Sequence, residues 1–566
     1  MFSRQPTEGR FRNRDVAVAV MIGIVPTVLY GAIRRLWWTF DDAFLLHYAI
    51  RYHPWQYLFS PQIWNEIPQR LFTPILPLAY DTDIVLFGVD SRGYYFHHLL
   101  ELVVLAVLLY TVLRLWYGAF GSAAGAILAL LGAPMCAWAS QLMLRHYVES
   151  TIAALAATVF WVVGLRRRSF WLACLSGCAY FVAICAKEIA VPLPLFLFLI
   201  PEQPIRVRAR TLLPHGVALT IYAVWRIFML GTAFGGYGWA VTSREVPGLI
   251  ASLPAKIVAS WVGASPPVIG GLLLAAIILV AALQVRSWRH AGMIAAGLAL
   301  TVLPIAPASK EMQLRFAMPS WFVVAIAAAA GLDLIRKKEA TRRAAAVALI
   351  VVLAAGVALN RWQWQRTFAD ASRMSMEGRA FVNLQKGDIL RNPMVPPAAM
   401  GELAWLKTEI LHGPPGAAWT YDDIYFCGAT MRGRVVEFER GAIKDVTPLI
   451  AAYGSQYCRA ERIDEPLEVT FTHRGESLFW ELGPYVRGRY RFVLADGLQA
   501  FDVPRVEGFQ LPGVHSIALR VRYVAPQGWV TYSPVLTLEF AKTTIFHWSR
   551  PNDRRRIGAA RASSSG

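Results

Sequence analysis

Charge is scarce in this chain, and negative charge is scarcest. Asp and Glu number 37 against 56 Lys and Arg, and charged residues make up only 16% of the 566. A soluble domain usually carries about 25% charge, so this shortfall, with 56% hydrophobic residues, excludes an ordinary soluble enzyme and suits many membrane spans. The signatures of common soluble chemistries are absent too: no Walker loop, G-x-S-x-G, H-E-x-x-H, paired C-x-x-C or Rossmann fingerprint occurs. "GGYGW" at 235–239 is Gly-rich but lacks the flanking strand and helix of a phosphate cradle. Cysteine is rare, with six in all. Cys136, Cys174, Cys178 and Cys185 fall in apolar runs, where the default is an inert small hydrophobe. Cys427 and Cys458 stand in the polar C-terminal part, where a disulfide is open to them if that part is extracytoplasmic.

What is present is hydrophobic length. A bilayer core of about 30 Å needs roughly 20 apolar residues in a helix. On that measure spans are expected at 15–33, 95–116, 121–141, 148–165, 169–186, 189–201, 211–232, 268–285, 291–307, 319–335 and 344–360. The first follows the basic start "MFSRQPTEGRFRNR" and has no small-residue cleavage site, so it reads as a retained helix with a cytoplasmic N-terminus. The net charge of +19 raises nucleic acid as a partner, but much of the Lys and Arg lies in short clusters between apolar runs. Alternate connections read "LRLWYG", "LRRRSF", "PIRVRAR", "RSWRH" and "RKKEATRR", the positive-inside pattern of a membrane protein. The other connections then face outward, and an odd number of spans places residues 361–566 outside the cytoplasm as well.

The first outer stretch, 34–94, is too long for a turn and reads as short interfacial helices. Beyond 360 the composition changes. Residues 361–417 read as a helical neck, and from 418 to 549 period-2 runs such as "PLEVTFTHRGESLFWEL" and "SIALRVRYVAP" predict an extracytoplasmic β-rich, sandwich-like domain. That domain shows no catalytic signature. It is expected to bind carbohydrate or to cover the active site. Residues 550–566 form a basic tail of disordered composition.

Four polar constellations fall on the outer side. Asp41 and Asp42 follow the first span: two adjacent carboxylates at a dry boundary raise each other's affinity for a proton, as a general base requires. Either is equally an N-cap for the helix expected to start at Ala43. His97, His98 and Glu101 open the second span, with His97 and Glu101 one turn apart on one face. Ionisable groups at this depth are functional candidates, with interfacial snorkelling the alternative. "RHYVES" supplies Arg145, His146 and Glu149, and "AKE" supplies Lys187 and Glu188. "SKEMQLRFAMPS" supplies Lys310, Glu311 and Arg315. Cations at a lipid boundary suit a phosphate headgroup, and an Arg holds two of its oxygens at once.

These segments together resemble the GT-C superfamily of polytopic glycosyltransferases, and within it the tetratricopeptide-containing O-mannosyltransferase group. That family has an acidic pair after the first span, as at Asp41-Asp42. Its "fGxxpxGYH", "HPxHxEA", "SKE" and "ERxxYxPS" segments are similar to "LFGVDSRGYYFHHLLEL", "RHYVES", "AKE" and "LRFAMPS". The resemblance covers roughly residues 15–335 and implies an inverting transfer from a polyprenyl-phosphate sugar to an extracytoplasmic protein, lipid or glycan. In it Asp41 acts as base, with Asp42 as helper or the reverse. Arg315, Lys187, His146, Arg145 and Lys310 meet the donor phosphate, supported by Glu149, Glu188, His97, His98 and Glu101. No metal or other cofactor is expected with a lipid-monophosphate donor. The family's "YRPL" is "FTPI" at 72–75 here, its arginine replaced at best by Arg70, and no tetratricopeptide repeats follow. Mannose and a protein acceptor therefore do not carry over. The composition suggests a bacterial inner membrane. A transporter or flippase is the competing class, but it should show related halves and broken mid-membrane helices, which the sequence does not.

Overall fold

The computed structural model describes residues 13–66, 71–232, 246–263, 288–302, 313–337, 342–395, 397–421, 423, 426, 433–452, 460–474, 477–494, 500–510, 516–540 and 544–550. The chain divides into two compact units, one helical and running to Ser375, the other built mainly from Met376 onward. Lys310, Glu311, Arg70, Cys427, Cys458, the Gly-rich 235–239 and the expected span 268–285 lie outside the described residues.

The helical unit begins with α1 (Asn13–Tyr30), whose Val20, Met21, Ile24 and Val28 are exposed, as a lipid-facing surface requires. Next come α2 (Asp42–Arg51), α3 (Ile75–Phe87), α4 (Ser91–Arg114), α5 (Ala119–Leu131), α6 (Ala133–Ser140), α7 (Arg145–Arg167), α8 (Phe170–Ala186) and α9 (Leu213–Leu230). The described part of the unit is completed by α10 (Val246–Val262), α11 (Trp288–Val302), α12 (Met318–Lys337) and the 41-residue α13 (Arg342–Val382). Among the described residues five helices are long and apolar enough to cross a membrane, or six if the bent pair α5–α6 is one span. Phe170–Ala186, Glu188–Leu199 and Pro247–Val262 are apolar but shorter. The chain is a multi-pass membrane protein.

Several expected boundaries move, each for a local reason. The single span expected at 121–141 is broken: α5 and α6 meet at 64°, where Gly132 is extended (φ −65, ψ 147) and Pro134 starts a new helix. The span expected at 189–201 is a 3-10 turn, Glu188–Ala190, and then a short helix, Leu193–Leu199, because Pro192 and Pro194 interrupt the backbone ladder. Helix α10 occupies part of a connection read as loop; Pro254 and Lys256 interrupt its apolar run. The expected neck helix is continuous with the last expected span and ends at Val382.

Small residues let the helices close. α1 packs on α4, α4 on α5 and α7, α7 on α8, α8 on α9, and α12 on α5. At the last contact, a Cβ added at Gly121 would stand 2.7 Å from the Ala329 carbonyl oxygen, and one at Gly125 would stand 2.6 Å from the Ala329 methyl. This is the Gly-x-x-x-Gly approach that substitutes for hydrophobic driving force between helices in lipid.

In the second unit a small α/β layer comes first; its first strand and the helix Pro397–Trp405 lie where only neck was expected, and its other strands lie in the expected β-rich stretch. β1 (Ile389–Arg391), β2 (Ala418–Thr420) and β3 (Val435–Glu439) are parallel in the order β2-β1-β3, and β4 (Ala442–Asp445) adds antiparallel to β3. A helix, Pro397–Trp405, lies between β1 and β2 in the chain. The three-residue β1 leaves no alternating pattern to read, which is why the sequence did not reveal it. The expected sandwich follows. β5 (Leu467–Arg474), β6 (Ser477–Gly483), β9 (Val506–Gln510) and β13 (Thr544–Arg550) form one sheet, in the order β13-β5-β6-β9. β7 (Arg489–Leu494), β8 (Ala500–Val503), β10 (Ser516–Val524), β11 (Val530–Tyr532) and β12 (Leu536–Glu539) form the other, with β10 at its centre. Alternate residues of β5 and β6 (Val469, Phe471, Leu478, Trp480) meet Phe492, Val521 and Tyr523 in one core.

Candidate functional site

The acidic pair separates into two unlike residues. Asp42 is fully buried on the first turn of α2. Its Oδ2 accepts from the Thr39 amide at 2.8 Å, the Thr39 hydroxyl at 3.2 Å and the Tyr95 hydroxyl at 3.3 Å. Its Oδ1 accepts from the Tyr80 hydroxyl at 3.2 Å and the Met143 amide at 3.0 Å. Burial pushes this carboxyl up to about 7, even against the donors of Thr39 and Tyr80. Asp41 takes the N-cap position of α2, yet its side chain makes no cap hydrogen bond. It is half-buried and raised by burial, an effect that the positive charge of Arg315 opposes. Phe40, just before it, sits in the left-handed region at φ +46, a conformation non-glycine residues adopt at a cost of order 1 kcal/mol and which clusters at functional sites.

Arg315 acts on Asp41, and residues read from three separate motifs come within electrostatic range of one another. Arg315 lies in the one-turn helix Leu314–Ala317, its carbonyl accepting from the buried Trp138 indole at 3.0 Å. His146 stands within electrostatic range of both Lys187 and Arg315. Its Nδ1 is 2.7 Å from the Met143 carbonyl, which can only accept, so Nδ1 carries a proton and Nε2 is turned toward other partners. Lys187 is buried at the end of α8, its ammonium 5.1 Å from the centre of the Tyr147 ring and 3.7 Å from Glu188. Glu188 is also held by Arg226 at 2.6 Å.

Arg145 lies in a network of carboxylates. Expected at the donor phosphate, its fully buried guanidinium is instead enclosed by carboxylates: Nη1 on Asp83, Nη2 on Glu101 at 2.7 Å, Nε on Glu149 at 3.1 Å. His97 joins the same net, 2.6 Å from Asp83 and 3.8 Å from Glu101. His98 is 3.2 Å from Glu101 and 2.9 Å from the Trp138 carbonyl. Arg145, His97, His98, Glu101 and Glu149 are therefore one structural network, distinct from the Asp41–Arg315–His146–Lys187 group. Two links join them: Trp138 holds both His98 and Arg315, and Asp42 holds the turn that precedes Arg145 and His146.

Sequence reading passed over Asp83, Arg226, Trp138, Tyr80 and Tyr95. Asp83 and Arg226 did carry a signal, since each is a charge inside an otherwise apolar helix, Asp83 with Asp81 in "DTDIVLF" and Arg226 alone in "AVWRIFML". The aromatic anchors and the Met143 amide carried none. Among the described residues no three His, Cys, Asp or Glu side chains are grouped to hold a metal ion.

An apolar cavity of ≈ 290 Å³ starts beside the cations. Its wall includes Ile189 and Ala190, directly after Lys187-Glu188, Ser150 after Glu149, and Pro319 one turn beyond Arg315. It continues past Phe196 and Phe322 to Trp116 and Tyr117.

Fold and site together define a polytopic membrane protein with a buried charged centre and an apolar cavity lined by residues that neighbour it in the chain. Among solved structures the chain is similar to ArnT from Cupriavidus metallidurans bound to undecaprenyl phosphate, at 14% identity over 76% of this chain and 96% of that one, TM-score 0.43. The apo state of the same protein aligns at 15% identity, TM-score 0.41. The archaeal oligosaccharyltransferase AglB from Archaeoglobus fulgidus, in complex with an inhibitory peptide and a dolichol-phosphate, aligns at 12% identity over 88% of this chain and 75% of that one, TM-score 0.42. No family model and no curated protein matches the sequence.

Proposed function

We propose that the chain is an inverting membrane glycosyltransferase of the GT-C kind, which moves a sugar from a polyprenyl-phosphate carrier to a hydroxyl of an extracytoplasmic acceptor. The observation that carries this reading is that Arg315 acts on both Asp41 and His146, and Lys187 on His146, while residues next to them in the chain line an apolar cavity. A lipid-linked phosphate sugar needs those parts: an apolar channel for the chain, cations for the phosphate, and a base of raised affinity for a proton on the water side. In the reaction Asp41 takes the proton of the acceptor hydroxyl as its oxygen attacks the anomeric carbon from the side opposite the phosphate. The bond from that carbon to the phosphate oxygen breaks, and the electron pair leaves with the lipid phosphate, where Arg315 and Lys187 stabilise it. Asp42 positions and does not react, because all its lone pairs face fixed donors. The test is transfer of labelled sugar from a polyprenyl-phosphate donor by purified protein. Asp41→Asn is expected to lose about 10²–10⁴ in rate while remaining folded. Undiminished transfer in that variant overturns the assignment of the base.

A further inference from the structure

The sandwich of the C-terminal unit carries a cleft that the transfer chemistry does not use. It lies between the connection 484–488, which crosses from β6 to β7 in the other sheet, and the hairpin turn 525–529 joining β10 to β11, and has a volume of ≈ 580 Å³, within the usual range of small-molecule sites. Its wall is built from Tyr485, Tyr523 and Trp529, with Arg462, Arg487 and Gln527 supplying polar groups. The aromatic rings interlock. Tyr485 stacks on Tyr523 with centroids 4.1 Å apart, and Trp529 meets both edge-on at 5.5 Å, inclined by 75° to Tyr485 and 62° to Tyr523.

The cleft is assembled in advance. The Tyr490 hydroxyl accepts the Tyr485 amide at 3.0 Å and donates to its carbonyl at 3.1 Å, which fixes one turn. The Tyr523 hydroxyl donates to the Arg487 carbonyl, and Gly488 (φ +98) gives way to it: a Cβ there would lie 2.5 Å from that hydroxyl oxygen. The Arg462 amide donates to the Val530 carbonyl at 2.8 Å, and the Val530 amide to the Ala460 carbonyl at 3.0 Å, which ties the third wall to the second turn. Arg462 is half exposed, its guanidinium 5.2 Å over the Trp529 ring, and Arg487 is exposed. No carboxylate is part of the wall; Glu465, outside it, approaches Arg462 at 3.7 Å. The Tyr485 hydroxyl is buried with no hydrogen-bond partner among the described residues.

Rigid aromatic faces beside two exposed guanidinium groups suit a ligand that is apolar on one face, rich in hydroxyls at its edge and negatively charged. We propose that this cleft binds an acidic saccharide: the partly exposed Tyr485 and Trp529, backed by the buried Tyr523, meet the C–H face of a pyranose ring, Gln527 meets its hydroxyls, and Arg462 and Arg487 hold its acid group. The proposal does not depend on the glycosyltransferase reading, since the cleft lies wholly within the C-terminal unit and the readout is binding, not transfer. Full-length protein in nanodiscs is titrated calorimetrically with trigalacturonate, glucose 6-phosphate and uncharged maltotriose. The expected result is saturable binding of at least one acidic probe, with maltotriose at least about tenfold weaker, as loss of a charge-assisted pair implies. The identity of the probe that binds tells a carboxylate from a phosphate. Arg462→Gln with Arg487→Gln, both on the exposed rim where folding is not at stake, is expected to weaken the acidic probe about tenfold or more, and Trp529→Ala likewise. Binding of neither acidic probe overturns the proposal. So does maltotriose binding as tightly as they do, or a double variant that binds as the parent does.

Discussion

Asp42 accepts the backbone amide of Met143 at 3.0 Å, while the carbonyl of that same Met143 holds His146 at 2.7 Å. One buried carboxylate thus sets the turn that aims a histidine, and the adjacent Asp41 is left to face Arg315. The two aspartates should separate in a mutant pair. Asp42→Asn places an amide donor among five donors and is expected to lower stability by about 1–3 kcal/mol, seen as a lower Tm, with a smaller effect on rate. Asp41→Asn is expected to show the reverse, full Tm and little turnover. Equal behaviour of the two would remove the division of labour.

Asp42 also predicts a pH dependence of stability. Its folded value of about 7 stands above the ordinary 3.8, so the folded state holds the proton more tightly than the unfolded one. The stabilisation is fully present below 3.8 and is lost as pH rises through about 7. Tm should accordingly decline between about pH 4 and 7, and Asp42→Asn should flatten that component of the profile. A profile identical in parent and variant would show that Asp42 does not titrate there.

For Asp41 the sign applies to rate. The base acts ionised, and burial raises it, so the acid limb of kcat/KM is expected above the ordinary carboxylate range. Arg315 favours the ionised form. Arg315→Gln should move that limb to still higher pH and raise KM for the lipid donor. A pH–rate profile on parent and variant checks both, and an unmoved limb would mean that Arg315 does not act on the base.

Much of this architecture was legible beforehand. The apolar runs placed the long helices, and alternation in "PLEVTFTHRGESLFWEL" placed β5 and β6 with Val469, Phe471, Leu478 and Trp480 inward. The motifs placed Asp41, His146, Lys187 and Arg315 on connections that the structure brings together. Short-range features were not legible. Gly132 and Pro134 break a span whose mean hydropathy hides the break, and β1 to β2 are too short to show a period. Arg145 shows the limit of reading charge by type: a cation at a membrane boundary suits a phosphate or a carboxylate equally. Only the fold reveals that Asp83, fourteen residues before His97, arrives first.

The Arg145 network yields a stability prediction. Removing its one cation leaves Asp83, Glu101 and Glu149 facing each other in a buried place, and breaking such a pair costs about 3–5 kcal/mol. Arg145→Met is expected to reduce yield and Tm sharply. Arg145→Lys should recover part, since an ammonium keeps the charge but not the three-way fork. If Arg145→Met were stable and only KM for the donor rose, the phosphate role would be restored to Arg145.

The cavity predicts selectivity by chain length. Ala154 lines it beside Thr151 and Thr158, on the stretch of α7 that leads inward from Glu149 and Ser150. Ala154→Phe puts a ring into a space of ≈ 290 Å³ while leaving the charged mouth intact. If the lipid chain runs there, a donor with many isoprene units should lose about tenfold or more in kcat/KM, the scale of about 1–3 kcal/mol for overfilling a packed site. A donor with two units, too short to pass Ala154, should lose little. The ratio of the two losses is the measurement, because a general folding defect lowers both alike. Equal losses, or none for the long donor, would place the lipid chain elsewhere.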